Sequence, residues 1–186
     1  MKLTERGNGN FTIEGITQKD IKYTNLAARP TKSIYYDPER PQHVFVIWLD
    51  QDVADQLVTA GFKVSQVEDT FNDMGVRPFI QLKAYPKMRV NPATAKEEQA
   101  PKVILKTSGN AIKLKKESFG LVDSARINSA DISFHSWFYD EHRPPVAVLD
   151  GLWCTADETA GGRNDYFDED YGYEEPDFVA DEVPFA

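Results

Sequence analysis

Apolar and polar residues alternate in short segments along most of the chain, and polar loops separate these segments. In residues 79–85, one face of an extended chain carries Ile80 and Leu82, and the other carries Lys83 and Tyr85. A period of two is typical of a strand with one face on a core and one on solvent. Strands are predicted in residues 11–16, 21–26, 44–49, 62–67, 79–85, 102–107, 132–139 and 146–154.

Two helical segments interrupt the predicted strands. Asp50 is a helix-capping residue before residues 51–60, where Val53 and Leu57 fall on one face, and Gly61 follows as a stop signal. Residues 116–123 have room for one or two helical turns.

Together the strand and helix patterns predict a mainly β protein. We expect an OB-fold antiparallel β-barrel with one or two short helices in residues 1–160 and a disordered acidic tail in residues 161–186. Residues 89–101 contain two prolines and mixed charge, which predicts a long mobile loop.

The distribution of charge separates the tail from the rest of the chain. The 186 residues include 21 Lys and Arg and 30 Asp and Glu, which gives a net charge of -9. Nine of the acidic residues lie in residues 164–186, where there is no Lys or Arg, and 21 acidic and 21 basic residues remain in residues 1–163. The sequence pI of about 4.8 therefore describes the tail, and the neutral remainder can still carry a basic surface.

The single cysteine and the absence of long apolar runs argue against a disulfide-linked or membrane-spanning protein. Cys154 has no partner for an intrachain disulfide, and its apolar neighbours predict a buried, inert thiol. The sequence shows no signal-peptide pattern and no run of apolar residues long enough to cross a bilayer. We therefore expect a soluble intracellular protein without a membrane partner.

Basic residues are concentrated in residues 77–116, which contain ten Lys or Arg against only Glu97 and Glu98. Cations bind phosphates and flat rings stack on unpaired bases, so alternating Lys and aromatic residues favour single-stranded nucleic acid. A solvated charged face is the plainer alternative. The predicted nucleic-acid-binding residues are Lys22, Tyr23, Arg29, Tyr35, Tyr36, Arg77, Phe79, Lys83, Tyr85, Lys87, Arg89, Lys102, Lys106, Trp137 and Tyr139.

Catalysis has weaker support in the sequence. His135, Asp140 and His142 allow the hypothesis of a metal-dependent nuclease, but their spacing matches no familiar metal motif and residues 140–144 resemble a hairpin turn. The chain has no Gly-rich phosphate loop, nucleophile elbow or Cys-x-x-Cys pair. We expect no enzyme activity, no cofactor and no metal.

The acidic tail interleaves its carboxylates with five aromatic residues and ends in a short apolar tip. Solubility alone does not need aromatic residues, so a recognition motif is favoured. The partner-binding residues are predicted to be Asp181, Glu182, Val183, Pro184 and Phe185. This tip resembles the acidic C-terminal peptide of bacterial single-stranded DNA-binding proteins, and Ala186 is an extra residue relative to that family's terminal Phe.

Residues 11–155 resemble OB-fold single-stranded DNA-binding proteins of tailed bacteriophages. Segments 21–26, 44–50, 77–85 and 102–107 carry the resemblance, followed by Asp131-Ile132 and Trp137. It implies sequence-independent protection of single-stranded DNA in phage replication, recombination or repair, in the host cytoplasm, with a tail that recruits replication or recombination proteins. The competing hypothesis is an acidic interaction protein that mimics DNA and blocks a host nucleic-acid-binding factor.

Overall fold

The computed structural model describes residues 1–32, 38–39, 41–85 and 100–157, and the backbone of three two-residue strands. The strands are β1 (Lys2–Gly7), β2 (Asn10–Thr17), β3 (Ile21–Asn25), β4 (His43–Trp48), β5 (Ser65–Glu68), β6 (Val76–Ala84), β7 (Arg89–Val90), β8 (Glu97–Glu98), β9 (Lys102–Thr107), β10 (Asn110–Leu114), β11 (Ile127–Trp137), β12 (Val146–Ala156) and β13 (Tyr173–Glu174). The helices are α1 (Gln51–Thr59) and α2 (Gly120–Ser124), with 3-10 turns at Gln18–Asp20 and Lys116–Ser118.

The main sheet has the strand order β1-β2-β11-β12-β6-β4-β3. Strand β12 is parallel both to β6, at Ala147 and Val148, and to β9, from Gly151 to Thr155. The predicted antiparallel arrangement therefore holds for most pairings of the barrel but not for these two. Long connections rather than hairpins join β6 and β9 to β12, so their chain directions need not reverse. The sheet is mixed, and the fold is an OB-like β-barrel with two short helices.

One hydrophobic core lies between the strands and helix α1, and alternate residues of each long strand point into it. Phe11, Phe62 and Phe134 pack at its centre with ring centroids 5.3 to 5.7 Å apart. Cys154 is buried, as predicted, and burial raises the pKa of its thiol to about 12. We call the side of the sheet that points away from this core the outer face.

Two strands of five or more residues, β1 and β10, were not predicted from the sequence, and both belong to tight hairpins. Strand β1 precedes a turn in which Gly7, Asn8 and Gly9 all have positive φ, and β10 follows a turn at Ser108 and Gly109. Strand β1 is an edge strand with mostly polar residues, so it lacks the alternation that marks a half-buried strand.

Several predicted boundaries shift in the structure. The strand expected from residue 62 begins at Ser65, because Phe62 packs in the core directly after α1. The predicted long loop contains the short β7–β8 pair, and the predicted tail contains β13, which pairs with β10. The rest of both segments lies outside the described residues. None of the helices in the described ranges is long and apolar enough to span a membrane.

Candidate nucleic-acid interface

The outer face of strands β3, β4 and β6 carries many of the predicted binding residues. The register aligns Tyr23 with Val46 and Gln81, and it aligns Val44 with Lys83 on the next row. Val44 and Val46 are buried although they point away from the core, whereas Tyr23 is 44% exposed. The centre of this face is therefore apolar and buried, and the longer Lys and Tyr side chains around it reach solvent.

Lys22 covers two aromatic rings at one end of this face. A register shift between Ile21 and Tyr23 releases Lys22 from the regular pairing with β4. Its amino nitrogen lies 4.2 Å from the centre of the Trp48 ring and 5.2 Å from that of Phe79. Trp48 is buried, so it supports Phe79, which is partly exposed and packs against it edge to face at 5.9 Å.

Two tyrosines form the other end of the face. The hydroxyl oxygens of Tyr85 and Tyr139 lie 3.0 Å apart, and the Tyr85 ring stacks on Trp137 with centroids 6.4 Å apart. Tyr139 is 52% exposed, but Trp137 is only 3% exposed. Trp137 is thus a buried support for the two tyrosines in this structure, and its contact with a base stays a prediction.

Trp153 is a candidate that the sequence pattern missed. Ser133 pairs with Gly151 and the next residue, Phe134, pairs with Leu149, so Asp150 is an extra residue on β12, and this bulge shifts the alternation of β12 by one residue. Trp153 therefore lies on the outer face, partly exposed, and its ring packs over Gly151. A regular alternation through β12 would place Trp153 on the same face as Leu149, and the bulge moves it to the outer face.

Lys102 and Lys106 lie on either side of Trp153. On β9 they pair with Gly151 and Thr155, and Ile104, which lies between them, pairs with Trp153. Because residues two apart on a strand share a face, both lysines lie on the outer face with this ring. Lys83 pairs with Val148 on β12, so β12 connects this group to the β6 residues.

Arg77, a predicted nucleic-acid-binding residue, is buried in the structure and forms ion pairs. It is 8% exposed, and its guanidinium bonds to Asp69 at 3.1 Å and Asp20 at 2.9 Å. Burial alone would raise the pKa of Asp69, but hydrogen bonds from Asn72 and the charge and hydrogen bond of Arg77 outweigh it, and the pKa is lowered. Arg77 is thus committed to two carboxylates in this structure, and its predicted contact with phosphate stays a prediction.

The remaining predicted residues are only partly described. Arg29 is exposed after β3, and its backbone exchanges two hydrogen bonds with the Asn25 side chain. Arg89 is described only as backbone in β7. The predicted residues outside the described ranges are Tyr35, Tyr36, Lys87, Asp181, Glu182, Val183, Pro184 and Phe185.

The hypothetical metal site does not assemble as the sequence suggested. His135 Nδ1 lies 2.7 Å from Asp150 on the neighbouring strand, whereas Asp140 pairs with Arg143 at 3.2 Å. Asp140 also accepts a hydrogen bond from the His142 backbone at 2.9 Å, as expected for a turn. Within the described ranges, no group of three or more His, Cys, Asp or Glu residues has an arrangement suited to a metal ion.

The outer face as a whole combines separated cations with partly exposed rings. Its cations include Lys22, Lys83, Lys102 and Lys106, and its accessible aromatic residues are Tyr23, Phe79, Tyr85, Tyr139 and Trp153. Lysines can neutralise phosphates along a backbone while rings stack on bases of any identity. The arrangement is suited to a flexible polyanion that carries flat groups.

No protein-family model matches the chain, and no curated protein matches it. Among solved structures, the chain is similar to the single-stranded DNA-binding protein from bacteriophage Enc34, with TM-score 0.46 and 11% identity over 88% of this chain and 95% of that chain. For the same phage protein in complex with single-stranded DNA, the TM-score is 0.43 and the identity is 12%, over 83% of this chain and 90% of that chain. For the single-stranded DNA-binding protein gp2.5 of bacteriophage T7, the TM-score is 0.39 and the identity is 13%, over 91% of this chain and 97% of that chain.

Proposed function

We propose that the chain binds single-stranded DNA without sequence preference and catalyses no reaction. In this role it protects single strands during phage DNA replication, recombination or repair in the host cytoplasm. The observation that carries the proposal is that cations and aromatic rings share the outer face. Lys22 and Phe79 lie at one end of it, and Lys83 and Tyr85 lie further along. Strand β12 then connects them to Trp153 and to Lys102 and Lys106 of β9.

The energy of such binding comes from two separable sources. Each stacked base contributes roughly 1 to 3 kcal/mol and does so for any base, because every base has a π face. Each neutralised phosphate releases counterions, which makes affinity fall with rising salt. The mixed composition of the outer face supplies both sources, and neither requires hydrogen bonds to particular base edges.

We propose two roles for the acidic tail. Its tip, Asp181 to Phe185, recruits replication or recombination proteins, and its nine negative charges compete with DNA for the lysines of the outer face. A tethered segment acts at high local concentration, so even weak contacts compete effectively. The chemistry that supports this part is the opposite charge of the tail and the basic band at residues 77–116.

A titration against oligo(dT), single-stranded RNA and duplex DNA at two salt concentrations tests the proposed function. Oligo(dT) should quench tryptophan fluorescence and bind more tightly at low salt than at high salt. Duplex DNA should bind more weakly, because its paired bases are not available for stacking on Phe79, Tyr85 or Trp153. An unchanged spectrum at low salt with excess oligo(dT) would contradict the proposal.

Truncation after Arg163 separates the roles of tail and body. The shortened chain keeps every core residue of the described ranges and loses the nine tail charges. It should bind oligo(dT) more tightly than the full chain at low salt, and equal or weaker binding would reject competition by the tail. If residues 1–163 ignored single strands, the alternative of an acidic DNA mimic would be favoured.

A further inference from the structure

The hairpin of β5 and β6 ends in a loop that exposes one aromatic ring. The loop covers residues 69–75, and Phe71 is 96% exposed. Burying an aromatic side chain is normally favourable by about 1.5 to 3 kcal/mol, and this ring gains none of that in the free protein. The ring is available to a ligand.

Asp69 holds this loop in a defined conformation. Its backbone nitrogen donates to the Gly75 carbonyl at 2.7 Å, and its carbonyl accepts from Met74 at 3.3 Å. Its carboxylate accepts from the Asn72 backbone at 3.1 Å, from the Asn72 side chain at 3.0 Å and from Arg77 at 3.1 Å. A loop ordered before binding does not have to be ordered by the ligand, which favours affinity.

The same contacts connect the loop to the outer face. Arg77 bonds to Asp69 and lies 5.4 Å from the Trp48 ring, on which Lys22 also packs. The Asn72 side chain donates to the Lys19 carbonyl at 3.4 Å, so the loop also touches the turn that precedes β3. The loop that carries Phe71 is therefore connected to the end of the outer face where Lys22 and Trp48 lie.

We propose that Phe71 is a base-stacking residue that extends the DNA-binding surface past the Lys22 end of the outer face. The inference rests on the proposed function and assigns it a further contact. Exposed Lys19 and Lys22 supply cations near this end, while Thr70, Asn72 and Asp73 give the ring polar neighbours. An exposed flat ring suits a nucleobase, because stacking on an aromatic side chain requires only the π face of the base.

Three substitutions of Phe71 in the full chain test the stacking role, each titrated with oligo(dT). Phe71→Ala and Phe71→Leu should both weaken binding roughly 5- to 150-fold, the range that corresponds to one lost stack. Phe71→Trp should bind as tightly as the original chain. The slope of log K against log salt should not change in any of them, because no phosphate contact is removed.

Val58→Ala is the matched control, because Val58 is also an exposed apolar residue but lies on α1, away from the outer face. Thermal midpoints close to that of the original chain should confirm that all variants fold. If Phe71→Ala binds oligo(dT) like the original chain while Lys83→Ala binds more weakly, the role of Phe71 is rejected and the proposed function stands. If the original chain does not bind, the proposed function itself fails.

A protein partner or a second copy of the chain is the competing occupant, since Met74 and Val76 are also exposed at this end of the hairpin. Sedimentation of the original chain and Phe71→Ala distinguishes it. A change in oligomeric state with unchanged DNA affinity would overturn the stacking role. Retention of full DNA affinity by Phe71→Leu would overturn it as well, because Leu keeps an apolar surface but has no π face.

Discussion

The amino group of Lys22 lies over the face of Trp48, 4.2 Å from the centre of the indole ring. A cation in this position is attracted by the negative face of the ring, a contact worth roughly 0.5 to 1 kcal/mol when exposed. Lys22 remains exposed to solvent at the same time. It is therefore both held in place by an aromatic ring and accessible to a phosphate.

Replacing Lys22 by Gln should weaken binding of oligo(dT) and lower the salt dependence. The slope of log K against log salt should fall in magnitude by roughly 0.7 to 1, because one phosphate contact is removed. The measurement is a set of titrations at four or more salt concentrations. Lys116→Gln is the control, since Lys116 pairs with Glu117 on a 3-10 turn outside the β3, β4 and β6 rows, and it should leave the slope unchanged. Equal slopes for both variants would count against a role for Lys22.

Replacing Gly151 by Ala should displace Trp153. A methyl group at position 151 would overlap the Cζ3 and Cη2 atoms of the ring and lie 2.7 Å from Ser133 Oγ. We expect a stability loss of roughly 1 to 3 kcal/mol from overpacking, a changed tryptophan spectrum and at least about fivefold weaker DNA binding. Val53→Ala, at a buried position of α1 in the core, is the control and should affect stability alone. An unaltered DNA affinity of Gly151→Ala would argue that Trp153 does not stack on bases.

Replacing Arg77 by Ala should destabilise the fold without removing a phosphate contact. The substitution leaves the carboxylates of Asp69 and Asp20 without their shared cation, and breaking a buried pair in this way lowers the thermal midpoint by roughly 5 to 20 °C. Arg126→Ala removes an exposed pair with Asp157 and should shift the midpoint by only a few degrees. Below both midpoints, Arg77→Ala should retain the salt slope of the original chain. A smaller slope would restore Arg77 as a phosphate ligand.

Stability should fall on acidification below about pH 4. Burial acts to raise the pKa of Asp69 and Asp20, but hydrogen bonds and Arg77 lower both below the ordinary value of 3.8. A carboxyl with a lowered folded-state pKa binds protons more readily when unfolded, so its contribution is complete above 3.8 and is lost as pH falls through the folded-state value. Urea unfolding between pH 2 and pH 6 measures this. In Asp69→Asn, the free energy of unfolding should depend less steeply on pH below about 4. An unchanged dependence would show that other groups cause the loss of stability.

Replacing Asp150 by Asn should strengthen DNA binding at low salt. Asp150 is a partly exposed carboxylate on β12, beside the position that pairs with Lys102, and it bonds to His135 at 2.7 Å. Removing a negative charge next to phosphates should tighten binding roughly two- to fivefold, and this gain should shrink as salt screens the charge. Asp52→Asn on α1 is the control and should have no such effect. Weaker binding of Asp150→Asn would show instead that the His135 contact is needed to shape the face.

Much of the outer face could be predicted because it follows from alternation along a strand. Lys83 and Tyr85 lie opposite Leu82 and Ala84 on β6, as a period of two requires once the apolar face is buried. The same reasoning correctly separated Val103 and Leu105 of β9 from Lys106. Local pattern is sufficient wherever one face of a regular strand meets the core.

Arg77 and Trp153 show where local pattern is not sufficient. Arg77 lies on the predicted face of β6, but Asp20 from the turn before β3 and Asp69 from the β5–β6 loop converge on it. Trp153 changes face because of a bulge between β11 and β12. Both outcomes depend on residues distant in sequence, and no alternation within one segment contains that information.

By itself, the sequence determined the mainly β character of the chain, helix α1, the inward and outward faces of the regular strands, and the separation of an acidic tail from a neutral body. These properties depend on the order of apolar, polar and charged residues within short segments. Only the tertiary structure decided that β12 runs parallel to β6 and β9 and that Arg77 is committed to two carboxylates. It also decided that Trp153 lies partly exposed between two lysines of β9 and that Phe71 is exposed. Strand pairing and bulges join segments that are far apart in the chain, so their effects on exposure arise only when the sheet forms.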